Sequence, residues 1–328
     1  MIHRFYYKYE DVKYMNKKIG LVLDGGGAKG AYQIGIWKAL RETGLERYIS
    51  CISGTSVGGL NAALFLQGDL DKAENIWRTK LSDLQGLGVM RLQMVLEELI
   101  EDPDIVDMSV FQSSKIDCYM TAYNCESFVD SNSKIEHKNS HISRYSEGRV
   151  TYFNMRYNSE SESKTILKNC SVNKKIMYAT CALPFLKRPK IDGIKYKDGG
   201  SPGGDNSPVK PLAFGENCDT VIVVHLDGVK DNIDKSEYPD THILEVVPSM
   251  ELGGFLNGTL NFSTAKIEHL IQKGFEDSFD TFKKHFDILN IERENDKLRR
   301  LKDKNVQKQK LINQRIIAML DQNGSDNV

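Results

Sequence analysis

The sequence predicts an α/β protein: a three-layer α/β/α arrangement around a mainly parallel central sheet, extended by C-terminal helices. Three observations carry this. The chain opens on strand, glycine turn and helix, and then repeats the unit, which is how a parallel sheet with helices on its faces begins. Short apolar runs of buried-strand length recur further on. From Ser263 to Leu320 the apolar spacing turns helical.

Taken in order, Ile19–Leu23 is an apolar run that stops at a glycine cluster and reads as a buried strand. From Gly30 to about Glu42, Ile34, Trp37, Ala39 and Leu40 share one helical side, and Gly44 supplies a stop. Tyr48–Ile52 is a second short strand and Gly54–Ser56 a tight turn. Val57–Leu66 is an apolar helix ended by Gly68, and Asp69 caps a further helix, Leu70–Thr79. Tyr119–Tyr123, Val150–Asn154, Val221–Leu226 and Ile243–Val247 are further strands. Lys190–Lys197 holds Asp192-Gly193, a hairpin turn signal. Ser127–Gly148 is Ser-, Asn-, Lys- and His-rich and reads as a surface insertion, a solvated loop or a flap over a site. In the C-terminal region, Ile267, Leu270, Ile271 and Phe275 keep helical spacing, as do Ile312, Ile316, Met319 and Leu320. The expected division is an N-terminal extension over 1–18, a main α/β domain over 19–211, and C-terminal strands with a helical extension over 212–328.

Composition narrows the function classes. Of 328 residues, 40% are hydrophobic and 27% charged, with mean hydropathy −0.43, as in ordinary globular domains. No stretch approaches the ~18 consecutive apolar residues of a spanning helix. The formal charge of −1 gives no field for nucleic acid, and no nucleic-acid partner is expected. The opening residues lack the apolar core of an export signal, so a cytoplasmic location is expected. The six cysteines show no C-x-x-C spacing and read as reduced thiols, with no metal site and no cofactor expected. Lys297–Arg315 carries eight Lys or Arg against one Asp. That run fits either a solvated helix face or peripheral contact with the inner face of an anionic membrane.

Gly25-Gly26-Gly27-Ala28-Lys29-Gly30 fits G-x-G-x-x-G between a strand and a helix. A dinucleotide site, a phosphate cradle and an oxyanion-binding turn all use such a loop, because it exposes backbone N–H groups at the positive end of a helix. The dinucleotide reading lacks an acidic residue at the end of the second strand, which runs Ser50-Cys51-Ile52-Ser53-Gly54. The phosphate-cradle reading lacks Lys-Ser/Thr after the last glycine. The oxyanion reading needs a nucleophile, and Gly54-Thr55-Ser56-Val57-Gly58 offers one. It is a G-x-S-x-G elbow between strand and helix, with Ser56 at the turn. The serine needs a proton acceptor. His137, His141, His225, His242, His269 and His285 follow it, none in a loop that presents a catalytic imidazole, although His225 and His242 remain open. Asp198-Gly199-Gly200, at a strand end before a Gly- and Pro-rich loop, is the other candidate.

These motifs together resemble the patatin-like phospholipase family: Asp24 to Gly30, Gly54 to Gly58, Ala179-Thr180-Cys181-Ala182-Leu183-Pro184, and Asp198-Gly199-Gly200 followed by Asn206-Ser207-Pro208. The resemblance runs from about Ile19 to Pro211, and Leu252–Phe262 is similar to the tail of bacterial members. It implies a lipid acyl hydrolase with a Ser–Asp dyad and no catalytic histidine. Ser56 is then the nucleophile, Asp198 the base, and the amides of Gly25–Gly30 the oxyanion hole. Thr180 departs from the serine common in the family. The implied partner is a lipid or other ester; a soluble carboxylesterase or thioesterase with the same dyad is the nearest alternative, and a nucleotide-binding protein using Gly25–Gly30 the more distant one. A dyad carries a constraint, since a free Asp is a weaker base than His by ~2.6 pKa units. The Asp198 carboxylate is therefore expected to be half-desolvated and within hydrogen-bond reach of Ser56.

Overall fold

The computed structural model describes residues 18–87, 89–126, 134–136, 142–156, 166–182, 188–228 and 233–325. The elements in chain order are β1 (Ile19–Leu23), α1 (Ala31–Thr43), β2 (Ile49–Thr55), α2 (Val57–Gln67), α3 (Leu70–Ile76), α4 (Val89–Glu101) and α5 (Val110–Ser113). They continue with β3 (Asp117–Asn124), β4 (Lys134–Glu136), β5 (Arg144–Glu147), β6 (Val150–Asn154), α6 (Ile166–Thr180), β7 (Lys190–Ile191) and β8 (Ile194–Asp198). β9 (Thr220–Val224), β10 (His242–Val246) and the long helix α7 (Thr264–Ser325) complete the described chain.

The sheet runs β10-β9-β1-β2-β3-β6-β5-β4. Its first five strands are parallel. Beyond β3 the pairing becomes antiparallel, so the sheet as a whole is mixed and the parallel half is the one the opening motifs build. Val22, Val221, Val223, Ile243 and Cys51 form one buried face under Leu212 and Ala213 of the short helical turn Pro211–Gly215. On the other face α2 packs along β2, with α1 and α6 beside it. The part of α7 that precedes Lys283 is fixed to α1 by two glycines. A Cβ on Gly35 would stand 1.9 Å from the Ile271 carbonyl oxygen, and one on Gly274 2.0 Å from that of Tyr32, so the two backbones touch. Ile267, Leu270 and Ile271 are buried there, as their spacing predicts.

Several expectations need correction. β2 runs through Thr55, so the turn is confined to Ser56. α3 stops at Ile76 and passes into a wider π-type turn, Trp77–Leu81, with Trp77 buried and its Nε1 donating to Asn61 Oδ1. The insertion holds β4 and β5, which extend the sheet beyond β6, β5 antiparallel to β6 and β4 antiparallel to β5. Its few apolar residues are compensated by cross-strand pairs: Tyr145 stacks on Tyr152, and the Ser146 and Thr151 hydroxyls bond at 2.9 Å. Its remaining residues, 127–133 and 137–141, lie outside the described ones, and His137 and His141 with them. Helix α4 has no counterpart among the sequence expectations.

Residues 17–282 form one compact unit, and α7 from Lys283 onward belongs to a second. Within that second unit Leu298, Leu301, Val306, Leu311 and Ile312 are exposed among the basic residues of 297–315. Among the described residues no helix is long and apolar enough to cross a membrane.

Candidate active site

The site is built where two strands meet end to end. Residues 117–121 of β3 pair with β2, and residues 122–124 pair, on the same edge, with β8. Thr55 lies opposite Thr121, and Asp198 lies opposite Ala122. The two strand ends are therefore about one residue rise apart, ~3.4 Å along β3. A hydroxyl on the residue after Thr55 and a carboxylate on Asp198 are brought together by register alone.

The elbow then exposes Ser56. Its backbone has φ 55° and ψ −124°, a left-handed conformation that costs a non-glycine residue about 1–3 kcal/mol. The glycines around it are needed for proximity. A Cβ on Gly58 would sit 2.1 Å from the Leu23 carbonyl oxygen, so the first turn of α2 abuts the end of β1. Val57 packs on Gly30 and lines the site. The Ser56 N–H donates to Thr180 Oγ1 at 2.9 Å. Two residues on, the Ala182 carbonyl accepts the Asp198 N–H at 2.8 Å, so the Ala179–Ala182 segment ties both strand ends. Thr180 thus supplies an acceptor that a serine hydroxyl at this position could equally supply. Its role shows only once α6 is seen to end behind the elbow.

Asp198 is buried at 6% exposure. Burial pushes its pKa up to about 6, against the opposing effects of a hydrogen bond from the Ser56 hydroxyl, the Gly200 amide and the Lys197 charge. The Gly200 N–H donates to Asp198 Oδ1 at 2.8 Å. Gly199 lies against the Thr121 carbonyl, closer than a side chain would allow. Most of the ~2.6-unit gap to an ordinary histidine is thereby closed.

The glycine loop closes the third side. Gly27–Gly30 forms one tight turn before α1. Gly25 is clamped by Asn206: its N–H donates to Asn206 Oδ1 at 3.2 Å, and Asn206 Nδ2 donates to its carbonyl at 3.3 Å. No described residue accepts from the Gly26 or Gly27 N–H, and both glycines line the cavity. Ala28 is buried beneath the loop. Lys29 is buried and ion-paired with Asp227, so its charge is already met by a carboxylate that also lines the cavity. Thr55 is not exposed to the cavity; its hydroxyl donates to the Asp205 carbonyl and anchors the loop after Gly200.

Around these groups is a cavity of about 490 Å³. Ser56, Asp198 and the glycines form its polar part, and Leu60, Leu81, Leu96, Phe255, Leu260 and Phe262 its apolar wall. Phe255 and the adjacent Leu256 are 60% and 77% exposed, so the wall continues outward as an apolar lip. Among the described residues no histidine lines this cavity. His225 is buried against Asp24 and Glu245, His242 begins β10, and His269 and His285 lie on α7.

A family model for patatin-like phospholipase matches residues 21–213, more than half the chain. The chain belongs to the patatin-like phospholipase family. Among curated relatives, lysophospholipase nte1 of Aspergillus terreus is 45% identical over 64 residues, 20% of this chain and 4% of that protein. Patatin-like phospholipase domain-containing protein 7 of Rattus norvegicus is 49% identical over 49 residues, 15% of this chain and 4% of that protein. The matches thus span about 4% of the length of these curated relatives. Among solved structures, human GIVD cytosolic phospholipase A2 is similar at TM-score 0.48 and 11% identity, covering 88% of this chain and 61% of that one. VipD from Legionella pneumophila is similar at TM-score 0.42 and 11% identity, covering 83% and 67%.

Proposed function

We propose that this patatin-like protein is a serine lipid acyl hydrolase acting on phospholipids or lysophospholipids. Ser56 attacks the ester carbonyl while Asp198 accepts its proton. The Gly26 and Gly27 N–H groups stabilise the negative charge that develops on the carbonyl oxygen. Loss of one such donor typically costs ~2.7–4 kcal/mol of transition-state stabilisation. The proton passes to the leaving alcohol, an acyl-enzyme remains on Ser56, and water deprotonated by Asp198 releases the fatty acid. The scheme draws on no metal or cofactor. One observation carries the reading: Ser56 and Asp198 share the polar floor of a cavity whose wall is apolar and opens onto an exposed apolar lip. That shape suits an acyl chain entering from a lipid surface, with Phe255 and Leu256 seated in the interface.

The test is a chain-length series of esters, offered below and above the critical micelle concentration. A lipid hydrolase gains activity with acyl length and again on micelles. A rate that peaks on short monomeric esters and ignores aggregation would favour a soluble esterase with the same dyad.

A further inference from the structure

A second polar cluster lies behind the glycine loop. Period-two alternation builds it: Val22, Val221 and Val223, and Ile243 face one side of the sheet on three neighbouring parallel strands. Asp24, His225 and Glu245 continue that face at or just beyond the ends of β1, β9 and β10. His225 Nδ1 lies 3.1 Å from Asp24 Oδ2, and its Nε2 lies 3.1 Å from Glu245 Oε2. His225 and Asp24 are each 1% exposed.

A neutral imidazole has one N–H and one lone pair. Placed between two ionised carboxylates, it would turn the lone pair toward one of them. Only the imidazolium donates to both. Asp24 is also the residue immediately before Gly25, and its carbonyl accepts from Gln33 Nε2 of α1 at 2.8 Å. It is thus the fixed end from which the glycine loop departs, with the Asn206 clamp one residue further on.

We propose that His225 is a positioning residue for the glycine loop: as an imidazolium bridging Asp24 and Glu245 it fixes the loop's first residue, so that the Gly26 and Gly27 N–H groups stay aimed into the cavity, and deprotonation releases the hold. The inference rests on the reading of those two amides as oxyanion donors.

The charges facing this group come from every strand packed on it. Asp24 stands on the β1 side and Glu245 on the β10 side. Lys235 pairs with the other Glu245 oxygen at 2.9 Å, and Ser207 and Asp205 act on Asp24 from the loop after Gly200. Burial pulls the His225 pKa down, but hydrogen bonds and charge from Asp24 and Glu245 outweigh it and hold it above 6.5. Burial raises Asp24, while Lys235 and His225 together pull Glu245 down despite its burial. The His225 shift is upward, so the imidazolium is fully present below pH 6.5 and is lost as pH rises through the elevated value, while protonation of the raised Asp24 carboxyl opens the bridge from the acid side.

The experiment measures kcat and KM from pH 5 to 9.5 on a soluble monomeric ester, for full-length wild type, Glu245→Gln and His225→Gln. Wild type is expected to show a falling alkaline limb in kcat, above pH 6.5. Glu245→Gln keeps the shape of the pair, removes one charge and moves that limb to lower pH. His225→Gln lowers kcat roughly 10–100-fold with little change in KM, and the limb disappears. An alkaline limb that is absent in wild type, or unmoved in Glu245→Gln, overturns the proposal even if His225→Gln does not fold. Ser56→Ala separates the two readings. If it keeps full turnover, the catalytic reading itself fails; if it is inactive and the limb is unmoved in Glu245→Gln, only the role of His225 fails.

Discussion

Asp198→Asn separates catalysis from folding with opposite signs. The carboxyl is held at about 6 in the folded chain against an ordinary 3.8, chiefly by burial. About two units correspond to ~3 kcal/mol. Below pH 3.8 the group is neutral in both the folded and unfolded states and costs nothing. As pH rises toward 6 the unfolded chain ionises first, and stability falls. Above 6 the folded protein carries the full cost of a buried carboxylate. Asparagine is nearly isosteric, keeps an oxygen for the Gly200 amide and cannot ionise. The variant should therefore be more stable than wild type by up to ~3 kcal/mol at pH 8, about 1–3 kcal/mol after relaxation, and no more stable at pH 3.5. Turnover should fall by about 10²–10⁴-fold with the loss of the base. The assay is chemical denaturation of both proteins at the two pH values, alongside ester hydrolysis at pH 8. A stability difference that does not change with pH, or a variant less stable at pH 8, would refute the picture of Asp198 as a desolvated carboxylate.

Other expectations follow from the same contacts. In wild type, kcat/KM should rise with pH through about 6 as Asp198 becomes a free base, and a rising limb centred near 4 would contradict its burial. Thr180→Val removes the acceptor of the Ser56 N–H and should cost about 1–3 kcal/mol of stability together with most of the activity, whereas Thr180→Ser should retain both; melting and rate measurements on the pair check this. Gly58→Ala forces a Cβ onto the Leu23 carbonyl and should cost about 3 kcal/mol, the upper end for overpacking, while Gly59→Ala on the same helix, 3.2 Å from a Thr180 methyl, should be far milder; thermal melts compare them. Leu256→Ser should slow hydrolysis of micellar lipid about 10–100-fold and leave monomeric ester untouched, because a lipid-inserted leucine is worth about 1.5–3 kcal/mol.

The opening half of the fold is legible because its signals are local. β1, α1, β2 and α2 each announce themselves by apolar spacing and glycine stops, and Asp69 accepts from the Lys72 N–H as a cap should. Asp192 and Gly193 both adopt positive φ, as the hairpin reading of that dipeptide requires. The insertion reads as a loop in sequence because β4 and β5 are stabilised by cross-strand partners, β4 on β5 and β5 on β6, rather than by their own hydrophobicity. Motifs name Ser56 and Asp198, but nothing in the motifs' own residues dictates that the two should meet. The meeting depends on β8 entering the edge of β3 at the residue after β2 leaves it, which is a matter of register between segments about 140 positions apart. The Asp24–His225–Glu245 row is hidden for the same reason: each residue lies on a different strand, and only the pairing of β1, β9 and β10 brings them onto one face.

The most direct test of the dyad is mass spectrometry after reaction with a fluorophosphonate that carries a long alkyl chain. A Ser56–Asp198 dyad predicts a single adduct on Ser56, its complete absence in Ser56→Ala, and its formation slowed by roughly 10²-fold or more in Asp198→Asn. An adduct on another residue, or labelling of Asp198→Asn at the wild-type rate, would contradict it.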